Sequence, residues 1–250
     1  MIEIVKNTLK QFDHDLKNKL GKNYLDIILY GSVVLNDFIP HRGDIDFIVI
    51  LEENLPETNI DDIFEMHDIY RSGCYDNLEY QLEGAYYPKK ILKNIYEEFV
   101  GCYIGTGRKG WKKLIKFQNN YFDLIEIKTS GIFFNNGVYE IYEPKDHEIK
   151  KLINEETVMY KELLQNNKIP LHCVIQYASR TIYYIETKTI GSKSESCKRY
   201  SLKNGNNKII EKCGTIKFPD NYKNFENEHP QLYQIAEKSL NDLVELVNNQ

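Results

Sequence analysis

The residues with chemistry to do are gathered in one stretch. An apolar run, Tyr24 to Tyr30, stops abruptly at Gly31-Ser32. After a polar connection a second apolar run opens with Asp44-Ile45-Asp46 and continues through Phe47, Ile48, Val49 and Ile50. Alternate residues of a strand face the same way, so Asp44 and Asp46 project together while Ile45 and Phe47 face the opposite side. Two carboxylates at the mouth of a buried strand repel each other and lose hydration. A divalent cation relieves both problems, and hard oxygen ligands suit Mg²⁺. Gly31 lets the backbone come close to a ligand, and Ser32 offers a hydroxyl and an N–H to a phosphate. The competing account makes Asp44 and Asp46 turn or capping residues, the usual fate of an isolated Asp-x-Asp. Gly-Ser at the end of the preceding strand favours the metal and phosphate account.

This combination resembles the nucleotidyltransferase superfamily that shares the DNA polymerase β-like catalytic fold, whose signature is Gly-Ser, a spacer, then Asp-x-Asp leading a strand. Within it the chain is most similar to the streptomycin/spectinomycin adenylyltransferases among the aminoglycoside nucleotidyltransferases. In those, Leu-Tyr-Gly-Ser precedes a Pro-containing loop and Asp-Ile-Asp, as in Leu29 to Asp46 here. The loop from Val33 to Gly43 is slightly longer than in that group. The resemblance implies a third carboxylate on the next strand, Leu78 to Tyr87. Glu79 and Glu83 share a face there, but four residues of strand separate them by about 13 Å, so only one can join Asp44 and Asp46. Glu83 is preferred, because a short apolar run, Pro88 and a helix from Lys89 to Phe99 follow it, as often in this superfamily; Glu79 is the alternative.

The resemblance also implies Mg²⁺, two ions in a two-metal site, held by Asp44, Asp46 and Glu83, with ATP as co-substrate and Glu83 taking the acceptor's proton or completing the metal site. In the family's helical domain an arginine, an aromatic-rich turn, a Gly-containing turn and a lysine follow one another. Arg180, Tyr183-Tyr184 and Ile190-Gly191-Ser192-Lys193 keep that order, which implies that Arg180 and Lys193 contact the triphosphate alongside Gly31 and Ser32. From the residues alone, a guanidinium among Ile175, Ala178 and Ile182 needs an anionic partner, met by an ion pair or by a ligand. Trp111, the single tryptophan, is either a buried anchor or a substrate-stacking residue, the role implied by the group's tryptophan near this place. The streptomycin-binding members carry a tryptophan and an aspartate in the helical domain. Lys161 to Asn167 offers neither, which leaves spectinomycin or another acceptor. The implied activity is transfer of AMP from ATP to a hydroxyl of an aminocyclitol antibiotic, conferring resistance. A lincosamide or a protein target is the alternative. A non-catalytic nucleotide-binding module is disfavoured, since binding alone does not require three converging carboxylates.

The elements that must position these residues follow from periodicity. Ile2, Val5, Leu9, Phe12, Leu16 and Leu20 recur at helical spacing, and Gly21 ends that helix. Asn59 or Asp61 caps a helix carrying Ile63, Met66, His67 and Tyr70, where His67 reads as a packed or solvated residue. Gly101 to Gly110 reads as a loop and not a phosphate loop, since it lacks Gly-Lys-Ser/Thr. A helix from Trp111 to Ile127 and a strand from Val138 to Tyr142 follow. Beyond Pro144 the pattern is helical: Glu148 to Gln165, Leu171 to Lys188, Lys193 to Leu202 and Pro230 to Val247. These elements make the expected fold class α+β with a helical bundle over 146–250, and the resemblance implies that 1–145 is a polymerase β-like catalytic domain of mixed sheet and helices.

Composition bounds the partners. The chain has 250 residues and a formal net charge of −5, so nothing favours a nucleic acid polymer, while a cationic small molecule fits. Five scattered cysteines without metal-ligand spacing read as thiols in a reducing compartment. Met1 to Leu20 is charged throughout, unlike a signal peptide, and no apolar run reaches membrane-spanning length. A cytoplasmic monomer without membrane association is expected.

Overall fold

The computed structural model describes residues 3–40, 43–71, 81–105, 110–216 and 222–249, with backbone only at Arg71, Gln81, Gly110 and Trp111. The chain divides into two compact units, Met1–Glu143 and Pro144–Gln250.

The first unit opens with α1 (Glu3–Leu20), whose stripe of Val5, Leu9, Phe12 and Leu16 is fully buried. Then come β1 (Tyr24–Tyr30), a 3-10 turn at Gly31–Val33, β2 (Asp44–Leu51), α2 (Glu57–Arg71) and β3 (Gln81–Pro88). After these follow α3 (Lys89–Lys93), β4 (Gly101–Ile104), β5 (Gly110–Leu114), α4 (Tyr121–Ser130) and β6 (Ile132–Phe133). The six strands form one sheet in the order β5-β4-β3-β2-β1-β6. β2 and β3 are parallel, which requires the crossover through α2; the other neighbours are antiparallel.

β2 is apolar nearly throughout because both its faces are covered. Ile45, Phe47, Val49 and Leu51 join Ile27, Leu29, Tyr86 and the stripes of α1 and α2 in one cluster. Ile48 and Ile50 join Ile28, Tyr30, Ala85, Tyr87 and Ile127 in the other. In the first cluster the ring of His67 stacks on Phe47 at 5.7 Å and hydrogen-bonds the Tyr86 hydroxyl at 2.7 Å, so this histidine is packed.

Several expectations are corrected. The stretch from Trp111 is not helical: Trp111 lies in β5 opposite Tyr103 of β4, and the helix starts only at Tyr121, where Asn120 and Asp123 form a capping box. Gly101 to Ile104 is a strand, not a loop. The helix after Pro88 stops at Lys93, because Asn94 leaves the helical region at φ −132°. No ladder forms at Val138 to Tyr142. Just before it the buried Asp26 carboxylate accepts the N–H groups of Asn135 at 2.7 Å and Gly137 at 2.9 Å, and within it the Tyr142 N–H donates to the Leu92 carbonyl at 2.6 Å.

The second unit holds α5 (Asp146–Gln165), α6 (Leu171–Thr187), α7 (Lys193–Lys203), α8 (Lys208–Gly214), α9 (Tyr222–Glu228) and α10 (Leu232–Asn248). α6 packs against α5, α7, α8 and α10, burying Val174, Ile175, Ala178, Ile182 and Ile185. α8 and α9 are short helices that the apolar pattern does not announce. Among the described residues no helix is long and apolar enough to cross a membrane. Phe47, fully buried and packed edge-on against Phe12 and Tyr86, is the hub of the first cluster. Phe47→Ala is expected to destabilise the protein by about 3–5 kcal/mol in urea denaturation.

Candidate active site

The register of β2 against β3 sets the site. Asp46 pairs with Glu83 and Asp44 with Gln81. Paired residues of neighbouring strands share a face, and alternate residues along one strand do too. Asp44, Asp46 and Glu83 therefore lie on the side whose interior is Ile48, Ile50, Ala85 and Tyr87. Glu79 lies outside the described residues. On the other flank Tyr30 of β1 pairs with Asp46, and the chain then turns at Gly31 with φ +72°. A side chain there would displace the Asp46 carboxylate: a Cβ on Gly31 would stand 1.8 Å from its Oδ2. The glycine is thus required both for its backbone conformation and for the closeness of the carboxylate.

The sequence reading missed two acids. α4 brings Asp123 and Glu126 to the same place. Burial holds the Asp46 carboxyl well above the ordinary carboxylate range, and the charges of Asp44, Asp123, Glu83 and Glu126 push it further the same way. Glu126, 2% exposed, accepts the N–H of Gly31. The N–H that could have met a phosphate is therefore engaged within the protein. The Ser32 Oγ is buried with no hydrogen-bond partner among the described residues. Tyr103 of β4 donates its hydroxyl to Glu83, and burial together with that carboxylate raises the tyrosine's pKa. Below, Asn119 donates to the Tyr30 hydroxyl at 2.9 Å and accepts from Tyr87 at 2.8 Å, fixing both rings.

The donor set is all carboxylate oxygen, and the charge it accumulates around half-buried Asp46 is what a hard divalent cation neutralises. In the arrangement observed, no three His, Cys, Asp or Glu side chains among the described residues are gathered to ligand distance. Asp44, Asp46 and Glu83 share a face and a register, but Glu83 is held by Tyr103.

In the second unit, Arg180 of α6 donates Nε–H to the Gly191 carbonyl at 3.1 Å, tying it to the turn before α7. Lys193 is the first residue of α7 and is exposed. Its charge opposes the helix dipole, while the Ser192 side chain caps the helix by accepting the Glu195 N–H at 3.1 Å. The Trp111 backbone is placed in β5; its side chain lies outside the described residues.

The buried charge has a pH signature. With its folded pKa raised, Asp46 binds a proton in the folded state where the unfolded chain has lost it, so stability falls as pH rises from about 4 toward that raised value. Without divalent cation, Asp46→Asn is expected to melt a few degrees above the wild type at neutral pH. The gap should close toward pH 4 and on addition of Mg²⁺; a wild type that melts higher than the variant in metal-free neutral buffer would contradict it.

Residues 9–104, which span Asp44, Asp46 and Glu83, match the family model described as a nucleotidyltransferase domain. No curated protein matches the chain by sequence. Among solved structures the fold is similar to that of spectinomycin adenyltransferase AAD(9) from Enterococcus faecialis, crystallised with ATP and spectinomycin. The TM-score is 0.66 and the identity 14%, covering 97% of this chain and 99% of that one. At that identity the likeness is one of fold, an α+β architecture with several helices after the sheet domain. The chain carries a nucleotidyltransferase domain, that of a transferase enzyme, and the β2–β3 pair of that domain holds its three aligned carboxylates.

Proposed function

We propose that the protein transfers AMP from ATP to a hydroxyl of a small cationic acceptor of the aminocyclitol class, spectinomycin among them, with antibiotic resistance as the consequence. Residues 1–145 would be the catalytic domain and 146–250 a helical domain serving nucleotide and acceptor. The observation that carries this reading is the alignment of Asp44, Asp46 and Glu83 on one face beside the Gly31-Ser32 corner. The shared fold with an enzyme whose structure holds ATP and spectinomycin supports it.

In the reaction the acceptor oxygen forms a bond to the α-phosphorus, the bond from that phosphorus to the β-phosphate oxygen breaks, and pyrophosphate leaves. Asp44 and Asp46, with Glu83, are the residues that would hold Mg²⁺, which supplies charge neutralisation at the transferring phosphoryl group. Glu83 takes the acceptor's proton, and the Tyr103 hydroxyl orients its carboxylate for that role. The Ser32 hydroxyl, unpartnered among the described residues, donates to a phosphate oxygen. Arg180 and Lys193 are the cations proposed for the phosphates and the departing pyrophosphate. The surplus of carboxylates around Asp46 favours an acceptor bearing ammonium groups. The four described cysteines are thiols rather than disulfides, consistent with work in the cytoplasm.

The test is pyrophosphate release across aminoglycosides, spectinomycin and lincosamides with each nucleoside triphosphate. ATP with spectinomycin is expected to give turnover. Asp44→Asn should lower it at least about a hundredfold while leaving the melting curve cooperative. Full activity in that variant would refute the role of the carboxylates.

A further inference from the structure

Gly31 is the pivot between the strand that flanks Asp46 and the turn that carries Ser32; its carbonyl, on the turn side, accepts the N–H groups of Val34 at 3.2 Å and Leu35 at 3.1 Å, and the Tyr30–Gly31 peptide plane on the strand side decides how the turn is set against the Asp46 carboxylate. A glycine at φ +72° has no side chain to hold that plane. Its N–H is held instead by Glu126, a residue 95 positions away in the chain and 2% exposed. A buried carboxylate beside Asp46 adds repulsion to a cluster already short of hydration. Elsewhere in the unit the buried Asp26 likewise accepts backbone N–H groups, those of Ile27, Asn135 and Gly137. Glu126 differs in its place, since the N–H it accepts is that of the turn next to the unpartnered Ser32 hydroxyl.

We propose that Glu126 is a positioning residue for the nucleotide. By fixing the Gly31 peptide it sets the Ser32 hydroxyl where a phosphate oxygen meets it, and it removes the Gly31 N–H from the phosphate's reach. This rests on the nucleotidyl-transfer reading of the same corner. What Glu126 contributes is a hydrogen-bond acceptor. An amide oxygen supplies that as well as a carboxylate does, and the repulsion toward Asp46 is not needed for the task. Without an acceptor the buried N–H is left unpaired and the junction of β1 with the turn loses its tie to α4, while the turn keeps its own bonds from Val34 and Leu35 to the Gly31 carbonyl.

The experiment compares wild type, Glu126→Gln and Glu126→Ala in two readouts: binding of a non-hydrolysable ATP analogue with Mg²⁺, and the split between KM for ATP and kcat. Glu126→Ala is expected to weaken analogue binding and raise KM for ATP about tenfold or more, with kcat changed much less. Glu126→Gln is expected to stay within about threefold of wild type in both. If the alanine variant does not fold, Glu126→Met keeps the volume without the acceptor and takes its place. Equal binding by wild type and the acceptor-less variant overturns the role. So does a glutamine variant as weak as alanine, which would make the charge, not the hydrogen bond, the working part. A wild type that binds no nucleotide overturns the functional reading itself, and this inference with it.

Discussion

The structure of the first unit depends on keeping like charges close together in a poorly hydrated place. Asp46 has Asp44 beside it on its own strand, Glu83 beside it on β3, and Asp123 and Glu126 reaching it from α4. Each of these raises the energy of the ionised Asp46 carboxyl, and burial raises it most. A fold optimised only for stability would place apolar or neutral side chains there. Clusters of this kind are stored strain of an electrostatic sort, tolerated where the surrounding structure is firm enough to hold them and where a ligand relieves them.

The firmness comes from the other side of the same strand. Phe47 follows Asp46 and points the opposite way, into a layer with Phe12, His67 and Tyr86. A slip of one residue in β2 would turn Ile45 and Phe47 toward the carboxylate face and bury Asp44 and Asp46 beneath α1 and α2. The apolar cluster therefore fixes the register, and the register fixes the acids. The Gly31 corner works with it: a residue without a side chain lets β1 end this close to Asp46 without displacing its carboxylate, and the Glu126 acceptor ties the strand end to α4.

The second unit solves a different problem, that of holding cations in a helical setting. Arg180 is not left among apolar side chains; its guanidinium reaches the Gly191 carbonyl and so braces the turn from which Lys193 begins α7. A lysine at that end of a helix is unfavourable by itself. The Ser192 cap and Glu195 in the first turn offset it, which keeps an exposed ammonium at a helix start.

Much of this was legible in the sequence, because it is local. β1 and β2 are apolar runs bounded by turn residues, and the Asp-x-Asp spacing alone puts both carboxylates on one face. α1, α5, α6, α7 and α10 follow from helical periodicity, with ends shifted by a residue or two. The stretch from Trp111 was not legible: Trp111 to Leu114 is a strand because β4 offers it an edge, and an edge is not written in the residues that use it. The same holds for Asp123, Glu126 and Tyr103. Nothing in their own neighbourhoods marks them as parts of a site. Packing of α4 and β4 around β2 brings them there, and their contacts with Gly31 and Glu83 join residues 95 and 20 positions apart. The sequence by itself determined which acids share a strand face. Only the tertiary structure decided which further acids surround them and which backbone N–H is already engaged, because electrostatic neighbours and hydrogen-bond partners are set by distance in space, not along the chain.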